Sequence, residues 1–255
     1  MFEIIICIIA GLGAGFGTGF AGMSAAAVIS PLLITFLHMD PYLAVGIALA
    51  SDVLASAASA ITYGKNKNLD IKNGIIMMIS VLCFTMAGSY IASIVPKTTM
   101  GNFSVFMTLL LGIKFIVKPV TEPKQRLLAA TAKQKAIRSV ACGAAVGFIC
   151  GFVGAGRGMM MLLVLTSVLG YELKTAVGTS VFIMSATALT GSVSHFVIGG
   201  MPDIKALVIC VVSTLVFAQI ASLLANKLPA KTLNRITGAI LVVLGIAVLG
   251  VNYLA

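Results

Sequence analysis

Charge is what this chain has least of. Only 9% of its 255 residues are Asp, Glu, Lys or Arg, against roughly a quarter in a soluble domain. Tryptophan is absent, histidine occurs twice, and apolar residues make up 60%. A soluble globular domain is therefore excluded. Alternation of apolar and polar residues is also missing, which excludes a β-barrel. The five cysteines, Cys7, Cys83, Cys142, Cys150 and Cys210, all fall in apolar segments. They form no CxxC pair or metal spacing, so they read as small apolar fillers, and no metal or cofactor is expected. Glu3 is the only charge ahead of the first apolar core, which indicates a retained membrane segment rather than a cleaved leader. The net charge of +10 does not imply nucleic acid. The basic residues sit mostly between apolar runs, where they orient a membrane chain.

What is present is a series of apolar runs, near 2–37, 42–64, 71–95, 99–118, 136–170, 174–199, 203–227 and 230–253. Most suit single membrane-crossing helices of about 20 residues. The first and fifth are much longer, and each carries glycines in its middle: "GAGFGTGFAGMSAA" from Gly13 and "GFICGFVGAGRGMM" from Gly147. The two runs belong to an internal repeat. At an offset of 132, Gly15, Phe16, Gly19, Phe20 and Gly22 meet Gly147, Phe148, Gly151, Phe152 and Gly154, and "AVG" at Ala44–Gly46 meets "AVG" at Ala176–Gly178. At 133, "DIK" at Asp70–Lys72 meets "DIK" at Asp203–Lys205. The expected units are residues 1–118, a cytoplasmic linker 119–135 with two prolines and many positive charges, and residues 136–255.

Basic residues decide how the halves are inserted. If each long run crosses once, the halves are parallel and the basic residues between the runs split ten to five. If each long run turns at its glycines and returns, the halves are inverted. Then Lys65, Lys67, Lys72, Lys174, Lys227, Lys231, Arg235 and the six basic residues of 118–138 share the linker side. Lys97 and Lys205 alone lie opposite. The expected fold is thus an all-α polytopic membrane protein of two inverted repeats, each a glycine-broken helical hairpin plus three transmembrane helices. Both termini are expected outside. The second hairpin arms, near 24–37 and 157–170, look too short to span.

Non-helical backbone at membrane depth is tolerated where it is buried in protein or lines a cavity, and transporter sites form where two such breaks meet. Helices restart near Gly22–Ala26 and Gly154–Gly158, presenting N–H groups and the positive dipole end to a small anion. The expected substrate-binding residues are Gly22, Ser24, Gly154, Gly156, Arg157 and Gly158. Arg157 is deep in an apolar run and has a guanidinium suited to an oxyanion. Asp52 is the other deep charge, a candidate for proton binding or for an ion pair with Arg157. His195 is a lesser proton candidate near a segment end. Ser51, Thr179 and Ser180 are polar positions beside the AVG turns. Gly15, Gly19, Gly147 and Gly151 have the spacing of close helix packing. No polar strand–helix unit surrounds the glycine runs, so they are not a dinucleotide loop and no enzyme site is expected.

The two glycine runs, each followed by AVG and then by a polar turn ending in DIK, resemble the sulfite exporter TauE/SafE family of membrane permeases over nearly the whole chain. The resemblance implies transport of sulfur oxyanions or small organosulfonates, such as sulfite or sulfoacetate. The expected function is a secondary carrier of a small anion in the cell inner membrane. Export is the expected direction, since an inside-negative potential drives an anion outward. Its expected partners are the substrate and the lipid bilayer, with homo-oligomerisation left open. The alternatives are a proton-coupled importer using Asp52 and, in another class, a non-transporting membrane assembly subunit.

Overall fold

The computed structural model describes residues 1–92, 103–120, 122, 131–153 and 157–254. Among the described residues the chain is helical and has no strand. The first long run breaks into α1 (Phe2–Ala21) and α2 (Ala26–Leu37). Then come α3 (Pro41–Lys65), α4 (Ile71–Ala92) and α5 (Phe103–Val117). The second half begins with α6 (Ala132–Val153) and α7 (Arg157–Leu163), which continues as a π-helical stretch, Val164–Leu169. It ends with α8 (Leu173–Gly199), α9 (Ile204–Lys227) and α10 (Ala230–Leu254). Among the described residues, five helical segments, in α1, α3, α8, α9 and α10, are long and apolar enough to cross a membrane. The chain is a multi-pass, all-α membrane protein. The 12 residues of α2 reach only about 18 Å at 1.5 Å per residue, well short of a bilayer core.

Local chemistry explains the element ends. The Asp40 side chain accepts from the N–H groups of Tyr42 and Leu43, with Pro41 in the first turn of α3. Asp203 caps α9 in the same way, accepting from Lys205 and Ala206. Helix α6 starts within the stretch assigned to the linker. Thr131 and Gln134 form a reciprocal cap there: the Thr131 N–H donates to Gln134 Oε1 and the Gln134 N–H to Thr131 Oγ1. This is a capping box, and it makes Ala132–Lys135 helical despite their polarity. The two AVG triplets are not turns; they lie within the first turns of α3 and α8.

Helices of the two halves pack reciprocally. α1 lies along α9, α6 along α4, α3 against α8, and α5 against α10. Glycines set the closest approaches. A Cβ at Gly15 would lie 2.8 Å from the Thr214 carbonyl oxygen, and one at Gly147 would lie 2.5 Å from that of Val81. Gly15 and Gly147 are repeat counterparts at offset 132, and Val81 and Thr214 are counterparts at offset 133. The same contact is therefore made twice, once in each direction between the halves. Gly19 packs likewise on Ala218, Ala221 and Ser222 of α9. The surroundings of Gly151 lie outside the described residues.

Contacts also sort the loops into two ends. At one end, here the linker end, Asn68 bonds Asn226, Tyr171 bonds Asp70, and Val120 bonds Asn234. At the opposite end Met1, Glu3 and Ile4 line a groove with Ile204 and Lys205, and Tyr42 stacks on His195. Helix α2 doubles back along α1: Gly17 faces Met23, and Gly13 faces Val28 further from the turn.

Replacing Gly15 or Gly147 by alanine is expected to force backbones apart and cost about 1–3 kcal/mol. Gly250, with no atom within 4 Å of an added Cβ, is the control and should tolerate alanine within about 0.5 kcal/mol. Thermal melting of the purified variants in detergent checks both.

Candidate functional site

The break in the first long run begins at Gly22, which caps α1 in the left-handed conformation at φ 59°. Only glycine takes this conformation without strain. A helix that ends inside the bundle frees its last carbonyls, and each needs a donor. The N–H groups of Met23 and Gly22 donate to the carbonyls of Gly17 and Thr18 at 3.1 and 2.9 Å. The Tyr63 hydroxyl of α3 donates to the Gly19 carbonyl at 2.8 Å, and Thr237 Oγ1 of α10 to that of Phe20 at 3.1 Å. Ser180 Oγ of α8 donates to the Gly22 carbonyl at 3.3 Å, and Thr18 Oγ1 to that of Met23 at 2.9 Å. Tyr63, Thr18, Ser180 and Thr237 are all buried.

The helix that starts at Arg157 touches the first break. A Cβ at Gly158 would fall 2.5 Å from the Gly22 carbonyl oxygen and 2.6 Å from the Ser24 nitrogen. No side chain fits there, and the start of α7 rests directly on the backbone between α1 and α2. Arg157 is the first residue of α7, so its backbone adjoins this contact. Its side chain, and Gly154 and Gly156, lie outside the described residues.

Ser24 opens the path into α2, whose N-cap Ala25 supplies no side-chain cap. The Ser24 hydroxyl donates to Asp52 Oδ2 at 2.8 Å, and the Ser56 hydroxyl donates to Asp52 Oδ1 at 2.9 Å. Asp52 is 1% exposed. The structure thus brings Gly22, Ser24, Asp52, Gly158 and Ser180 together at the meeting of the breaks. A carboxylate at the start of α2 has the sign that a helix N-terminus favours. His195 is elsewhere. It sits at the opposite end, its Nδ1 3.1 Å from the Tyr42 carbonyl and its ring 4.1 Å from that of Tyr42. Along α8 it lies 15 residues from Ser180, about 22 Å at the helical rise. Ser51 bonds the Ile47 carbonyl of its own helix, and Thr179 accepts from the Asp70 N–H.

Four residues that bond in or beside the breaks are not singled out by motif. Tyr63 and Thr237 stand in ordinary apolar helices, and nothing in the sequence links them to a break in another helix. Ser56 does carry a signal, since it lies four residues from Asp52 and therefore on the same helical face. Lys114 carried a stronger one, being a cation inside the run 99–118. Its ammonium bonds Ser167 and, at 3.4 Å, Thr166 in the π-helical stretch.

With this geometry in view, comparison with known proteins decides the class. The family model for the sulfite exporter TauE/SafE matches residues 7–248. The chain belongs to this family. It is also similar to the probable membrane transporter protein YunE of Bacillus subtilis, 26% identical over 95% of this chain and 96% of that protein. The probable membrane transporter protein YdhB of the same organism is 22% identical over 85% of this chain and 88% of its own. The probable membrane transporter protein MJ0441 of Methanocaldococcus jannaschii is 24% identical over 96% and 94%. This TauE/SafE member is a membrane transporter and not an enzyme.

Tyr63→Phe removes the donor to the Gly19 carbonyl without opening a cavity. A buried acceptor left unpaired costs about 1–3 kcal/mol. The expected outcome is a lowered melting temperature, with Thr237→Val, at the next carbonyl, lowering it similarly.

Proposed function

We propose that this transporter is a secondary carrier of a small anion, of the sulfur oxyanion or organosulfonate class, in the cell inner membrane. The observation that carries the reading is the contact of the two breaks at Gly158 and Gly22–Ser24. Two helices restart at one buried point, a placement whose dipole sign suits an anion, and Arg157 opens one of them. Membership of a family described as sulfite exporters supports the substrate class. Outward movement of a monovalent anion gains about 2.3 kcal/mol per 100 mV of inside-negative potential and needs no coupling ion.

The proposal includes two repeats, residues 1–118 and 136–255, inserted in opposite senses with the 119–135 linker in the cytoplasm. The division of basic residues, thirteen against two, supports this. So does the placement of loops: 66–70 and 170–172 bond each other, whereas parallel halves put them on opposite faces. Cysteines at Glu3, Gln125 and Asn252, in a variant lacking the native cysteines, test it with an impermeant thiol reagent on intact cells. Labelling is expected at the two ends and not at Gln125; the reverse pattern sinks the inverted arrangement.

The buried hydroxyl–carboxylate group of Ser24, Asp52 and Ser56 favours a second reading, import of the anion together with a proton on Asp52. Flux in liposomes under an imposed pH gradient separates the two. Uptake that follows the gradient and is lost in Asp52→Asn supports import.

Arg157 tests the site itself. If it holds the anion, Arg157→Lys keeps the fold and weakens binding, and Arg157→Gln stays folded but no longer binds. If it neutralises Asp52 instead, Arg157→Gln loses roughly 3–5 kcal/mol of stability and Asp52→Asn restores it. Melting curves across a panel of sulfite, sulfoacetate, sulfate and acetate read both stability and binding. Restoration of full stability and full anion binding in the double variant overturns the ligand role.

A further inference from the structure

The repeat gives several positions at the linker end a described counterpart at the other end, so these can be compared. At the linker end the halves are tied by side chains. The Tyr171 hydroxyl donates to Asp70 Oδ2 at 2.7 Å, and the Asp70 N–H donates to Thr179 Oγ1 at 3.2 Å. Asn68 Nδ2 donates to Asn226 Oδ1 at 2.7 Å, and within the second half Lys174 Nζ donates to the Asn226 carbonyl at 3.0 Å. Gly178 admits the Asn68 carbonyl against α8, where any Cβ would collide with it. Burial, with Asp70 alongside, pushes the Tyr171 phenol above its ordinary value, so it stays a donor.

The counterpart positions cannot repeat these ties. Met39 stands for Tyr171, Ile47 for Thr179 and Met201 for Asn68, and none of the three side chains is a hydrogen-bond donor. Asp203, the counterpart of Asp70, accepts from the Lys205 and Ala206 N–H groups of α9. Among the described residues, the contacts between the halves there include the Tyr42–His195 ring contact, the His195 Nδ1 to Tyr42 carbonyl contact, the seating of Phe196 on Gly46, and the groove that Met1, Glu3 and Ile4 line with Ile204 and Lys205.

We propose that Asp70, Tyr171, Asn68 and Asn226 form the gate of the linker end. In this conformation that polar latch is closed, and it biases the carrier toward opening its central site to the opposite end. The inference rests on the carrier reading above. The latch joins the loop after α3 to α8 and α9, the elements that must part for the linker end to open. It is also connected to the break, because Tyr63, five residues before Asn68 on α3, donates to the Gly19 carbonyl. Opening hands these groups to water, so each bond is modest. Losing one shifts the balance of open and closed states by up to about tenfold.

Nitroxide pairs read this without substrate, by pulsed dipolar spectroscopy in nanodiscs and a cysteine-free background. One pair, at Lys67 and Lys227, spans the linker end; the other, at His38 and Met201, spans the opposite end. The parent protein is expected to give a single short distance for 67–227. Tyr171→Phe, and independently Asn68→Ser, should add a longer linker-end population and shorten the 38–201 distance. Unchanged distances in both variants, with only a lower melting temperature, overturn the gate and leave the contacts merely structural. Lengthening at the opposite end instead overturns the direction of the bias. Failure here leaves anion binding by the parent untouched, whereas failure of the parent to bind any anion sinks the carrier reading and not the distances.

Discussion

A helix end placed inside a membrane protein must find hydrogen-bond donors without help from water, and the rest of this structure depends on how that demand is met. The last turn of α1 and the residues after it expose carbonyls from Gly17 to Met23. Two are answered by the chain's own N–H groups, and one by Thr18. Those of Gly19, Gly22 and Phe20 are answered by Tyr63, Ser180 and Thr237, which come from α3, α8 and α10. Each unpaired group in hydrocarbon costs several kcal/mol, so these three helices are fixed in register to the break. The glycines open the helix, and the hydroxyls of other helices keep it open.

The same register brings the second break to the first. Gly158 reaches the Gly22–Ser24 backbone because it has no side chain, and α3 and α8 bond that same stretch through Asp52 and Ser180. Packing around this point is reciprocal between the halves, as the Gly15–Thr214 and Gly147–Val81 contacts show. Reciprocity stops at the hydrogen bonds. Apolar packing needs only small residues in the right places, which both halves have retained. Polar ties need matched donors and acceptors, and these differ between the halves: Met39 and Met201 stand at the positions that correspond to Tyr171 and Asn68. The repeat therefore supplies a common scaffold, and its departures give the two ends different chemistry.

Much of this was legible in the sequence, and for physical reasons. A bilayer requires long apolar runs, so the helices, the two overlong runs and the shortness of α2 could be read from composition and length. Deep charges are costly, which made Arg157 and Asp52 visible. The partners of the break were not legible. Tyr63 and Thr237 act through distances in space, and a hydroxyl in an apolar helix more often bonds its own carbonyls, as Ser51 does. Lys114 was legible by the rule applied to Arg157. The start of α6 was legible too, since Thr131 and Gln134 have capping-box spacing, but the polar composition of the linker hid it.

Under the proposed carrier reading, the Ser24–Asp52 bond bears on how an anion would occupy this site. A hydroxyl has one proton, and that of Ser24 is given to Asp52. It cannot at the same time serve a bound oxyanion, so substrate and Asp52 compete for it. They also repel: two like charges 4 Å apart at an effective dielectric of 20 cost about 4 kcal/mol. A single guanidinium at Arg157 offsets one negative charge but not two. An anion that takes the Ser24 hydroxyl must therefore displace Asp52 toward another partner or arrive with a proton that neutralises it. The first course gives a uniporter whose rate depends on membrane potential, and the second gives a carrier coupled to protons. On that proposed reading, export and coupled import are two settlements of the same charge balance, decided by where Asp52 goes when the anion binds.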